Sequence, residues 1–94
     1  MQNSKVIFGP GIDAALLALI DYVDVDSIPS VLKFIEDIQL RLVNTLATFP
    51  QSGRMFQGGV RMFAVDDYIF LYEHHADLNE VHVLEMIQLR RNWR

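Results

Sequence analysis

Cysteine is absent from the 94 residues. That excludes a disulfide framework, thiolate catalysis and any Cys-based metal site, and it fits a reducing, cytoplasmic setting. Long apolar runs are also missing. The longest mostly apolar stretch, Ala14 to Ile20, is too short to span a bilayer, and Met1 leads into Gln2-Asn3-Ser4-Lys5 without the core of a signal peptide. A soluble, cytoplasmic protein is expected. Positive charge is scarce: residues 1–89 hold Lys5, Lys33, Arg41, Arg54 and Arg61 against all twelve acids, a balance of −7. Backbone-driven binding of nucleic acid requires Lys and Arg to neutralise phosphates, so this balance argues against it. There is no glycine loop of the P-loop type, and no serine stands in a nucleophile-elbow setting, so no nucleotide cofactor or acyl-enzyme chemistry is expected.

What is present is the composition of one compact unit. Half of the side chains are hydrophobic and 21% are charged, a globular balance at a length that allows a single domain, 1–94. The missing positive charge returns in the last five residues, where Arg90, Arg91 and Arg94 surround Asn92 and Trp93. Such a tail can touch phosphate locally or pair with an acidic partner, and taken alone it reads as a solvated end that keeps the chain soluble.

Periodicity sorts the chain into two halves. Lys5 to Phe8 is a short strand candidate closed by Gly9-Pro10-Gly11. Ile12, Leu16, Leu17, Ile20 and Val23 then recur at helical spacing, which predicts a first helix over about 12–24. Asp26 or Ser27 can cap a second helix whose apolar face runs Ile28, Val31 or Leu32, Ile35, Ile38, Leu42, Leu46 and then Phe49, with Pro50 as its stop. From there the period changes to that of strands. Residues 54–56 are a candidate, Gln57-Gly58-Gly59 a turn, and 60–65, 68–72 and 81–87 a meander with turns at Asp66-Asp67 and 76–80. The order is β-α-α-β-β-β, an α+β layout with a helical hairpin on a small, mostly antiparallel sheet and a short basic tail. Both alternating sets of Tyr68-Ile69-Phe70-Leu71-Tyr72 are apolar, which predicts a strand covered on both faces by a partner or by the tail.

In that order the residues resemble the ParE/RelE superfamily of toxins from type II toxin–antitoxin systems. Ala14 or Ala15, Leu17, Ile20 and Tyr22 match its first helix, and Leu46, Pro50 and Gly53-Arg54 the end of its second. Gly59-Val60-Arg61 opens a strand, Tyr68 to Tyr72 forms the aromatic run, and Val81-His82-Val83-Leu84 leads to Arg90-Arg91-Asn92-Trp93. Periodicity places Leu17, Ile20, Leu46 and Phe70 in the core, with Tyr22 and Tyr72 as core aromatics and Gly53 in a turn. The resemblance implies a cognate antitoxin that wraps the toxin with a helix and extended segments, and an arginine near the functional surface at Arg61. A structural ion pair of Arg61 with Glu73 or Glu85 is the alternative there.

The resemblance leaves two mechanisms open. RelE-like members are ribosome-dependent mRNA endonucleases, and cleavage by the 2′-hydroxyl needs a base, an acid and cations on the phosphorane. Gln88 stands where many relatives carry a histidine, so Glu73, His74 or His82 would have to substitute. ParE-like members, linked to plasmid stabilisation, poison DNA gyrase without nuclease residues, and the departures of this sequence run in that direction. Arg54, Arg61, Arg90, Arg91 and Trp93 are then the candidate target-binding residues, because Arg and Trp often anchor interfaces. A non-toxic, antitoxin-binding relative is a third reading. No metal site is expected: His74 and His75 are adjacent on a strand and point to opposite faces.

Overall fold

A computed structural model describes residues 3–88, so the basic tail with Arg90, Arg91 and Trp93 lies outside the described residues. The elements are β1 (Lys5–Phe8), α1 (Pro10–Ile20), a 3₁₀ turn at Val25–Ser27, α2 (Ile28–Thr48), β2 (Arg54–Gln57), β3 (Val60–Val65), β4 (Tyr68–His75) and β5 (Glu80–Gln88). They build the expected α+β layer pair. One five-stranded sheet runs in the order β1-β5-β4-β3-β2, and every pairing is antiparallel except β1 with β5. The parallel pair follows from the two helices, which carry the chain from β1 across the sheet before the meander begins. Among the described residues no helix is long and apolar enough to cross a membrane.

Both helices cover the same face. From α2 the stripe Ile35, Ile38, Leu42 and Leu46 is fully buried, at the spacing of one helical face. Its counterpart on the sheet is Tyr68, Phe70 and Tyr72 of β4 with Val81 and Val83 of β5, and Ile12 of α1 closes the cluster. Helix α1 starts sharply because Pro10 is pre-set for the first turn and Gly11 admits close approach to β5. A Cβ on Gly11 would lie 2.3 Å from the carbonyl oxygen of Leu84.

Several local expectations are corrected. Helix α1 ends at Ile20, not near 24, and Asp21 and Asp24 follow it. Carboxylates at that end oppose the helix dipole and do not extend the helix. Leu17, expected in the core, is 65% exposed. It stands five residues from Ile12, about 140° round the axis, while Ile12, Leu16 and Leu19 face the core. Tyr22 lies beyond the helix and is 86% exposed, so it is not a core aromatic. Ser27 occupies the N-cap of α2 without a side-chain cap bond, because its backbone is already in the αR region. Strand β4 runs on to His75 instead of ending at Tyr72, and β5 is one residue longer at each end than predicted.

Candidate functional site

Strand pairing decides which side chains share the face that the helices leave open. Leu71 is opposite Met62 and Glu85, Glu73 is opposite Val60 and His82, and His75 is opposite Glu80. Arg54 on the β2 edge is opposite Met62, while Lys5 and Ile7 on the β1 edge stand beside Glu80 and His82. All of these belong to the open face, because their strand neighbours Phe63, Phe70, Val81 and Val83 form or line the core on the other. A bulge makes the two ends of β5 compatible. Leu71 pairs with Glu85 but Tyr72 with Val83, which leaves Leu84 as the extra residue. The inward set therefore changes from Val81 and Val83 to Met86, which is opposite Phe70.

Among the described residues the strand expected to be covered on both sides is covered by the helices on one; the tail, a candidate cover for the other, lies outside them. Tyr68, Phe70 and Tyr72 are buried beneath the helices, and Ile69 and Leu71 are half-buried on the open face. Beside Leu71, a groove of about 410 Å³ is lined by Phe56, Val60, Leu71, Leu84 and Glu85 together with the β2–β3 turn.

At the other end of the open face, β4 and β5 carry a two-by-two array of carboxylates and imidazoles. His75 Nε2 is 3.1 Å from Glu73 Oε1, and His82 Nε2 is 2.8 Å from Glu80 Oε1. The two imidazole rings lie with centroids 4.3 Å apart, tilted by 33°. Each of these four side chains is about a third exposed, so the pairs contribute less than about 1 kcal/mol to stability even with the histidines charged. An imidazole beside a carboxylate can take up or give back a proton in general acid–base chemistry. His75, not His74, shares this face with Glu73 and His82, as the two-residue strand period requires. His74 is on the helix-covered side, where its Nδ1 is 3.4 Å from Gln51 Nε2. Among the described residues no group of three or more such side chains is arranged to hold a metal ion.

The two internal arginines of the sequence reading are on opposite faces. Arg54 is exposed on the open side. Arg61 is opposite Tyr72 on the helix-covered side, and its Nη1 donates to the carbonyl oxygens of Gly53 at 2.9 Å and Gln51 at 3.2 Å. The predicted ion pair with Glu73 or Glu85 does not form, because both carboxylates project from the other face. Arg61 instead clamps the loop that follows α2. The same loop is held by Tyr72, whose hydroxyl oxygen accepts the Gly53 N–H at 2.9 Å. Gly53 is there for contact: a Cβ on it would fall 2.6 Å from the Tyr72 hydroxyl and 2.7 Å from the Met62 carbonyl oxygen.

Two predictions arise from this clamp. Arg61→Ala removes charged hydrogen bonds to two carbonyls and is expected to cost about 1.5–3 kcal/mol in denaturant unfolding. Arg54→Ala, on an exposed edge, should stay within about 0.5 kcal/mol. Equal effects of the two would contradict the clamp. The second concerns alkaline pH. Burial raises the Tyr72 phenol above its ordinary value of 10.0, against the lowering effects of the Gly53 N–H and the Arg61 charge. Burial, and secondarily the Asp67 charge, also raises Tyr68. A group whose folded pKa exceeds its unfolded value contributes stability that is complete below the unfolded value and is lost as pH rises through the folded one. Stability should therefore fall above about pH 10, and Tyr72→Phe should flatten that decline in a pH series of unfolding curves.

No protein-family model matches the sequence, and no curated protein matches it. Solved structures do. The chain is similar to a chain of the RelBE2 toxin–antitoxin complex of Mycobacterium tuberculosis, with a TM-score of 0.60 and 15% identity over 94% of this chain and 93% of that one. It is also similar to the isolated RelE toxin of E. coli, with a TM-score of 0.55 and 11% identity over 95% of this chain and 87% of that one. At such identities the likeness is one of fold, and the fold is that of the RelE toxins.

Proposed function

We propose that this chain is the toxin of a type II toxin–antitoxin pair, neutralised by a cognate antitoxin. The observation that carries this reading is a nearly full-length likeness to an isolated RelE toxin and to a chain of a RelBE2 toxin–antitoxin complex. We further propose that it acts in the ParE manner, by binding a protein target such as DNA gyrase, and not by cutting RNA. The placement of positive charge supports this. Cleavage of RNA needs cations that converge on one phosphorane. Among the described residues the cations of the open face are Lys5 and Arg54, on the two edge strands of a five-stranded sheet, at least about 19 Å apart at the usual strand spacing. Arg61 is engaged by carbonyls on the opposite face. Arg54, with Arg90, Arg91 and Trp93 of the tail, remains a candidate contact for the target.

A second reading has specific support. Both solved neighbours named above are RelE-type, and the His75–Glu73 and His82–Glu80 pairs supply groups able to take and return a proton. As a RelE-like, ribosome-dependent mRNA endonuclease, the protein would use those imidazoles in place of the residue that Gln88 does not provide.

Induced expression in a bacterium is expected to arrest growth, and co-expression of the adjacent gene to restore it. Under the gyrase reading, arrest is accompanied by a DNA-damage response, and plasmid incubated with gyrase and the protein accumulates as protein-linked linear DNA. The His75→Ala, His82→Ala double variant should keep its toxicity in that case and lose it if the protein is a nuclease. Undisturbed growth with a soluble, folded chain would remove the toxin reading and leave a non-toxic, antitoxin-binding relative.

A further inference from the structure

The helices bury one face of the sheet, yet apolar side chains are also built into the other. Leu71 stands near the middle of the open face with Ile69 two residues before it on its own strand and Met62 across from it, and Leu84 and Phe56 extend this surface into the 410 Å³ groove. Charge around this patch is distributed in one sense. The inner strands β4 and β5 present Glu73, Glu80 and Glu85, while Lys5 and Arg54 are confined to the edges. Glu73 and Glu80 each have an imidazole beside them. Glu85 is exposed, lines the groove, and has no hydrogen-bond or ion-pair partner among the described residues.

We propose that this face docks a protein segment that is both apolar and cationic. Leucine- or isoleucine-like side chains would enter the groove over Leu71 and Leu84, and lysine or arginine side chains beside them would meet Glu85 and Glu73. Charge complementarity selects this chemistry. Residues 3–88 contain the twelve acids and five basic side chains, and two of those five are already engaged, Arg41 by Asp66 and Arg61 by backbone carbonyls. A nucleic acid would bring phosphates onto carboxylates and is disfavoured. An anionic protein segment would meet the same repulsion. An apolar and cationic one buries its hydrophobic side chains in the groove, and the carboxylates orient it and speed its encounter. The inference rests on the antitoxin reading for the identity of the partner and specifies its chemistry: the segment covering this face is basic.

The test uses the full chain and two synthetic amphipathic peptides, alike in their leucines and differing only in lysine or glutamate at the flanking positions. Binding is followed by fluorescence anisotropy at physiological salt. The lysine peptide should bind at least about tenfold tighter than the glutamate peptide, and more weakly as salt rises. The Glu73→Gln, Glu85→Gln double variant, whose fold is checked by circular dichroism, should lose about tenfold for the lysine peptide and little for the other. Equal binding of the two peptides, no binding of either, or an unchanged affinity in the double variant would overturn the proposal. Pull-down of the adjacent gene product by wild-type chain and by Glu85→Lys separates the two readings. Equal capture by both sinks the charge argument and leaves the antitoxin reading standing. Peptide discrimination without any capture leaves the docking chemistry and removes the antitoxin as its occupant.

Discussion

Replacing Gly53 with alanine is expected to cost about 3 kcal/mol or more, near or beyond the upper end of overpacking effects. The added methyl would lie within 2.8 Å of the Tyr72 ring and its hydroxyl, and 2.7 Å from the Met62 carbonyl oxygen. Tyr72 is fully buried and cannot swing aside, and the Met62 carbonyl belongs to a strand. In thermal unfolding this corresponds to a fall of roughly 12–24 °C for a domain of this size. The total stability of such domains is about 5–15 kcal/mol, so the variant gives up between about a fifth and three fifths of it. Adding Tyr72→Phe removes one of the clashing atoms and leaves the carbonyl, so the double variant should remain far below wild type. A melting temperature within a few degrees of wild type for Gly53→Ala would show that the loop after α2 is not held against β3 and β4 as described.

Phe70→Ala and Leu71→Ala should differ sharply although the residues are neighbours. Phe70 is fully buried among the helices, and its truncation leaves a cavity costing about 3–5 kcal/mol. Leu71 is half-buried on the open face, where water and neighbouring side chains fill the space, and its truncation should cost less than about 1.5 kcal/mol. Chemical denaturation of both variants measures the difference. Similar losses would mean that both faces of β4 are sealed, and the open-face docking surface would not exist. Leu71→Ala is also expected to weaken capture of a partner without weakening the fold, a combination that Phe70→Ala cannot produce.

These contrasts mark where the sequence is readable. The stripe of α2 was legible because helical periodicity is local: Ile35, Ile38, Leu42 and Leu46 all reach the core as spaced. The second half was legible as strands for the same reason, and the opposite facing of His74 and His75 follows from strand period alone. The candidate site was not legible to that extent. Leu17 and Leu16 are equally apolar, and only the seating of α1 on β5 decides which is buried. His75 joins Glu73, His82 and Glu80 through pairing between strands, which requires the register. The bulge at Leu84 could not be read from Val81 to Gln88, since strict alternation would have turned Glu85 and Ile87 inward.

Arg61 carries the same lesson in electrostatic form. As a sequence position it was equally suited to a target, to Glu73 and to Glu85, because charge is recognised over several ångströms in any direction. Its assignment to two loop carbonyls depends on the face from which it projects. Local periodicity and turn residues thus determined, without coordinates, the element types and the α+β layout, and the absence of Cys excluded thiol chemistry. Strand register and the one-sided placement of the helices decided which apolar residues stayed uncovered and which carboxylates gathered beside them. Those outcomes arise from contacts between residues distant in sequence, and no local pattern encodes them.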